Sequence, residues 1–371
     1  MKTLRQAVTA DKQQFRNLWD ISFDDTKEFS DWLFDTRFVP QYSAVIEEDD
    51  GFISSEVQSL PICLRVRDAL IPSAIMIGAC THPDFKRRGY MKELYTYYMN
   101  MVREMGIVLC PHTPAVLKTY FYVGHYPVSD TAFIKTDFSE GAQVSGDIVI
   151  KDLKGNLGDI FECYNIAASK FSGIAYRSYA DFKLKCADYA ACAAKCACVL
   201  KDNKVMAYAI YFDEKDMIYG EEIMSLDELS EQKIVNFLFN EGKCRKVTVK
   251  LPPNTKSEYN NGIKSVAPRN VCGIANVSAL LKAVGKGLGY TIEIKDEAVK
   301  GNNGVFDFSG NATDKKPQLL MPVYRFAQWI FGYKSLEEIR KGEDIEIFDE
   351  KAFDELNKLF PKLNCHIIDE Y

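Results

Sequence analysis

No stretch of the 371 residues approaches the ~20 consecutive apolar positions that a membrane-spanning helix needs. The opening Met1-Lys-Thr-Leu-Arg-Gln-Ala7 lacks the apolar centre of a secretory signal. Positive charge is not in excess: 46 Lys and Arg against 52 Asp and Glu give a net charge of −6. That balance argues against nucleic acid and membrane surfaces as partners and favours cationic ligands. The chain has eleven cysteines, an odd number, and the cluster Cys186, Cys192, Cys196 and Cys198 contains no C-x-x-C pair and no neighbouring His. These read as small buried thiols in a reducing, cytoplasmic setting rather than as zinc ligands. The four histidines show no metal spacing either, so no metal is expected. A G-x-S-x-G elbow is missing, which removes the usual hydrolase signature. Neither G-x-x-x-x-G-K-[ST] nor G-x-G-x-x-G is present, so no P-loop or Rossmann fingerprint binds a nucleotide.

What is present is an ordinary globular composition, 47% apolar and 26% charged, over a length that suits two or three domains. The chain centres on Ile75-Met-Ile-Gly-Ala-Cys-Thr-His-Pro-Asp-Phe-Lys-Arg-Arg-Gly-Tyr-Met-Lys-Glu-Leu94. An apolar run passes through a basic turn into a helix whose apolar residues fall at Met91, Leu94, Tyr95, Tyr98, Val102 and Met105. The free N–H groups and dipole of a helix start attract anions, and Lys86, Arg87 and Arg88 add full charges. Gly89 lets a phosphate approach the backbone. The turn reads as a pyrophosphate cradle, the alternative being a solvated basic cap. Ile107-Val-Leu-Cys110 follows as a buried strand, so strand, helix and strand suggest a locally parallel sheet.

Lys86-Arg87-Arg88-Gly89-Tyr90-Met91 resembles the acetyl-CoA turn of the GNAT N-acetyltransferases, Gln/Arg-x-x-Gly-x-Gly/Ala, with Lys and Met at its two ends. Tyr120-Phe-Tyr-Val-Gly124-His resembles the Tyr-x-x-x-Gly-Phe signature of the same family. A proton donor is chemically required there, because acyl transfer expels CoA thiolate. Tyr122 and Tyr126 compete with Tyr120 for that part.

Past the polar stretch Thr136–Gly146 a second unit repeats the strand-helix-strand order. It contains a hairpin around Asp202-Asn203-Lys204, but opens its helix with Leu226-Asp-Glu-Leu-Ser230, whose carboxylates repel phosphate. From about Val266 a third unit carries the helix Tyr324-Arg-Phe-Ala-Gln-Trp-Ile-Phe-Gly332 and an apolar tail, Ile367-Ile-Asp-Glu-Tyr371, that should dock rather than fray.

As a whole the chain is similar to the enhanced intracellular survival (Eis) acetyltransferases. The resemblance implies an α/β (α+β) fold: a GNAT domain over 1–140, a degenerate GNAT-like unit over 141–265, and a sterol-carrier-protein-like domain over 266–371. It implies transfer of acetyl from acetyl-CoA to a small-molecule primary amine, and a homo-oligomer, a hexamer in that family. Acetyl-CoA contacts fall on Ala79, Cys80, Thr81, Arg87, Arg88, Gly89, Tyr90, Met91 and Lys92. The general acid falls on Tyr120 and the general base on the terminal carboxylate of Tyr371. Asp25 and Trp32 fall in the amine pocket. The other reading is a protein that binds a lipid or another apolar ligand and keeps a vestigial CoA site.

Overall fold

The computed structural model describes residues 2–142, 147–256, 259 and 262–370. The chain folds into two compact units. The first comprises Met1–Ser129, Ser172–Ala175 and Arg269–Tyr371; the second comprises Asp130–Phe171 and Tyr176–Pro268. Among the described residues no helix is long and apolar enough to cross a membrane.

In the first unit, strands β1 (Thr3–Gln6), β2 (Ala44–Glu47), β3 (Ile53–Val66) and β4 (Ala69–Thr81) form an antiparallel run in that order. Helices α1 (Lys12–Asp20) and α2 (Lys27–Trp32) intervene between β1 and β2. The sequence suggests separate strands on either side of Pro61. The structure has one continuous β3, in which Pro61 pairs with Ala74 across a long hairpin. Helices cover both faces of this sheet. Ile75, Ile77 and Cys80 face a cluster with Phe15, Leu18 and Trp19 of α1, whereas Ala74 and Met76 face Leu94, Tyr95 and Tyr98. That is why the β4 sequence runs almost uninterruptedly apolar instead of alternating.

Helix α3 (Tyr90–Glu104) buries Leu94, Tyr95, Tyr98, Met99 and Val102 along the expected stripe; Met105, just past its end, is exposed. Strand β5 (Leu109–His112) runs parallel to β4, but the register joins them only at Ser73 and Leu109. Beyond that point the other side of β5 is taken by Val271–Ile274 of the strand Ile263–Ile274. The upper half of β4 is therefore left without a partner on its β5 side, and the two strands open like a V.

The same unit contains a four-stranded sheet built on Thr291–Lys295 and Leu319–Pro322, with the helix Val323–Phe331 packed on it. Gly332, at φ +83°, stops that helix in the left-handed conformation. Arg67 ties these elements to the β3–β4 hairpin: its guanidinium donates to the carbonyls of Trp329, Ile330 and Pro361 at 2.8–3.1 Å. The chain end docks as its composition suggests. Cys365, Ile367 and Ile368 are buried, and the Ile367 amide donates to Ser129 Oγ at 3.2 Å. Arg269 then grips Glu370 through two bonds of 2.6 Å. Tyr371 itself lies outside the described residues.

The second unit repeats the strand-helix-strand order. Met217–Ser225 leads into the helix Glu228–Glu241, and Lys246–Leu251 returns parallel to the first strand. Asp227 caps that helix by accepting from the Ser230 amide at 2.8 Å. The hairpin turn falls at Asp202 and Asn203, both at positive φ. Arg177 and Glu222 form a buried pair with two bonds of 2.9 and 3.0 Å, joined by the hydroxyls of Tyr189 and Tyr208.

Candidate active site

The basic turn sits where β4 hands over to α3. Arg87 and Gly89 both take left-handed backbone conformations, φ +65° and +80°, so successive amides curl into a concave nest. Nothing lies within 4 Å of a Cβ added at Gly89, so the glycine answers the positive φ rather than crowding. Among the described residues, the amides of Arg87 through Met91 have no backbone acceptor. An anion at the start of α3 therefore meets open N–H groups. The three cations are not equivalent. Arg88 folds back to donate to the Asp84 carbonyl at 2.8 Å and lies over the Phe85 ring, while Arg87 and Lys86 are exposed. Tyr90 and Met91 are half-buried at the helix start, and Lys92 reaches over the Tyr122 ring.

Ala79, Cys80 and Thr81 end β4 just before this turn. The β3–β4 register shifts between Gln58 and Ser59, which face Gly78 and Met76, so Ile77 bulges. A bulge frees backbone groups at the strand end that leads to the nest. On the α1 face the Trp19 ring lies against Gly78 so closely that an added Cβ would stand 2.5 Å from it. The Trp19 indole donates to Asp25 at 3.0 Å. Asp25 thus stands at the β4 end through Trp19, a residue that sequence reasoning passed over. Trp32 is half-buried at the end of α2.

Tyr120 lies in a 3-10 turn, Leu117–Val123, after β5. Its half-buried ring packs on His112 at 4.4 Å and on Tyr95 at 5.4 Å. Burial pushes its hydroxyl up to about 12, so it is protonated at neutral pH. The other two candidates are placed differently. Tyr126 is stacked between Phe121 and Tyr324 at 4.1 and 4.0 Å, and Tyr122 is exposed.

Two histidines that showed no metal spacing form the floor beneath Tyr120. His112 and His125 are fully buried with ring centroids 5.2 Å apart. Tyr95 OH meets His125 Nδ1 at 3.3 Å. Burial drives both imidazoles toward the neutral form, His125 down to about 3. Unfolding releases His125 to an ordinary pKa near 6.5, so at that ring the unfolded chain binds more protons between roughly pH 3 and 6.5. Stability contributed by the neutral His125 ring is complete above that window and falls as pH drops through it, by about 1.4 kcal/mol per unit. His125→Gln is expected to make the loss of Tm between pH 6.5 and 4.5 shallower by about one proton's worth. An identical pH slope in differential scanning calorimetry would contradict the neutral assignment.

Comparison with known proteins bears on this geometry. The acetyltransferase (GNAT) domain family matches residues 3–126, which contain β4, the nest, α3 and Tyr120. These residues are a GNAT acetyltransferase domain. The sterol carrier protein domain family matches residues 277–367. In fold the chain is similar to an Eis protein over its whole length. It superposes on Eis1 from Mycobacterium abscessus with a TM-score of 0.75 at 15% identity. A GCN5-related N-acetyltransferase from Anabaena variabilis gives 0.80 at 17%, and a probable N-acyltransferase from Enterococcus faecalis gives 0.80 at 16%. Each comparison covers 100% of both chains. Among curated proteins none matches the sequence.

Proposed function

We propose that this GNAT acetyltransferase moves an acetyl group from acetyl-CoA to a small primary amine. The observation that carries the reading is the open amide nest of Arg87–Met91, set at the end of a bulged β4 that has parted from β5. The CoA pyrophosphate occupies the nest, and the pantetheine arm runs down the V between the strands. The thioester then reaches Ala79, Cys80 and Thr81, where backbone N–H groups polarise its carbonyl. Tyr120 protonates the departing sulfur. The amine enters beside Asp25 and Trp32, and the carboxylate of Tyr371 accepts a proton from it, as the family resemblance implies. Arg269 and Ser129 hold the segment that leads to that residue. The same resemblance makes the assembly a homo-oligomer. The apolar-ligand reading finds less support, because Trp329, Phe308, Phe326 and Phe360 fill the sterol-carrier-like core ring against ring.

The test is acetyl-CoA-dependent thermal stabilisation, which a ligand of the native state alone produces, followed by thiol release over a panel of amines. Arg87, exposed beside the nest, is expected to contribute one charge-assisted contact. Arg87→Ala should weaken acetyl-CoA binding by ~1.5 kcal/mol, about tenfold. Unchanged affinity by calorimetry would move the pyrophosphate elsewhere.

A further inference from the structure

Among the described residues Glu56 is a buried carboxyl that the fold leaves poorly satisfied. It lies on β3 with no exposed surface; Oε1 accepts from Gln58 Nε2 at 3.0 Å, and Oε2 has no donor but the weak thiol of Cys80 beside the carboxyl. Leaving such an atom with so weak a donor is costly. A position that only had to be filled would carry an apolar side chain at no such cost. The register places Glu56 opposite Cys80, at the end of β4 that leads to the nest. On the same face lie the Trp19 ring over Gly78 and, tied to Trp19, Asp25. Asp24 and Asp25 are exposed. The cations of the two adjoining helices are committed elsewhere, Lys12 to Asp35, Arg16 to Asp20 and Asp31, and Lys27 to Asp31. Among the described residues no lysine or arginine forms an ion pair with Asp24, Asp25 or Glu56. Asp24 and Asp25 lack a counter-charge that an incoming cation would supply.

We propose that Glu56 receives the charged end of the acceptor, an aliphatic primary amine on a slender, unbranched stem whose ammonium passes Asp24 and Asp25 and binds at Oε2. The inference rests on the acetyltransferase reading and adds a residue and a substrate class to it. Two protons must leave the nitrogen. The ammonium gives the first to Glu56 Oε2, which frees the lone pair to attack the thioester carbon. Burial holds the Glu56 carboxyl well above the usual carboxylate range, which suits it to taking that proton. As the tetrahedral adduct collapses, the carbon–sulfur bond breaks, Tyr120 protonates the thiolate, and the second nitrogen proton goes to the Tyr371 carboxylate. Return of one proton to Tyr120 and loss of one to solvent resets the site.

The experiment uses the full chain with butane-1,4-diamine and, separately, an aminoglycoside as acceptors. Acetyl-CoA binding is read by thermal shift and turnover by thiol release. Glu56→Gln is isosteric and should keep both Tm and the acetyl-CoA shift, while kcat/KM for the diamine falls about 10²-fold or more. If Glu56→Gln does not fold, Glu56→Asp decides: with the carboxyl withdrawn by one methylene, kcat/KM should drop at least tenfold at unchanged acetyl-CoA affinity. Parent-like turnover of the diamine by whichever variant decides overturns the inference and leaves the acetyltransferase reading intact. So does a parent that acetylates the aminoglycoside but not the diamine. A parent that acetyl-CoA does not stabilise removes the underlying reading, and this inference with it.

Discussion

Tyr120→Phe is expected to lower kcat by about 10²-fold while leaving acetyl-CoA affinity and Tm near their parent values. The substitution removes one hydroxyl and keeps the ring that packs on His112 and Tyr95. A positioned general acid contributes ~10²–10⁴-fold, and the lower end applies when water can protonate a thiolate in its place. Burial keeps the phenol protonated, up to about 12, which is the form a donor needs. The histidines beneath it are neutral and too deeply buried to replace it. Because the acid acts on the leaving group, the loss should fall on kcat and not on binding. A Phe variant with the parent rate would shift the part to Tyr122 or to solvent.

Adding a short Gly-Ser extension after Tyr371 is expected to reduce kcat by ~10²–10⁴-fold, with the acetyl-CoA thermal shift unchanged. The extension converts the Tyr371 carboxylate into a neutral amide and disturbs nothing upstream. Deleting the tail is the poorer experiment, since His366, Ile367, Ile368 and Asp369 are all buried and their loss would destabilise the unit. Glu370→Ala, which releases the tail from Arg269, should give an intermediate loss. An extended protein that acetylates amines at the parent rate would exclude the Tyr371 carboxylate as base.

The parts of this site that were legible in the sequence are those made by neighbours in the chain. The apolar run of β4, the Lys86–Gly89 turn and the stripe of α3 lie within thirty-odd residues, and each follows from periodicity, charge and a glycine at positive φ. The hairpin at Asp202-Asn203 and the helix stop at Gly332 were readable for the same reason. The motif points to Tyr120, and nothing local sets it apart from Tyr122 and Tyr126. The stacking of Phe121 and Tyr324 on Tyr126 and the exposure of Tyr122 are what support Tyr120 in the proposed mechanism.

What tertiary structure alone decided is burial. Phe52 to Leu60 reads as a strand, and its polar core Ser54-Ser-Glu-Val-Gln-Ser59 is buried at every side chain, because helices cover both faces of the sheet. A glutamate there becomes a poorly satisfied acid only once α1 closes over it, and no spacing rule announces that. The floor of the site has the same origin. Tyr95 comes from α3, His112 from β5 and His125 from the turn after Tyr120, and only their packing turns two unremarkable histidines into neutral ones. Charge and periodicity act over a few residues and can be read from the chain. Desolvation depends on what covers a group from every side, and that is set by elements tens of residues apart.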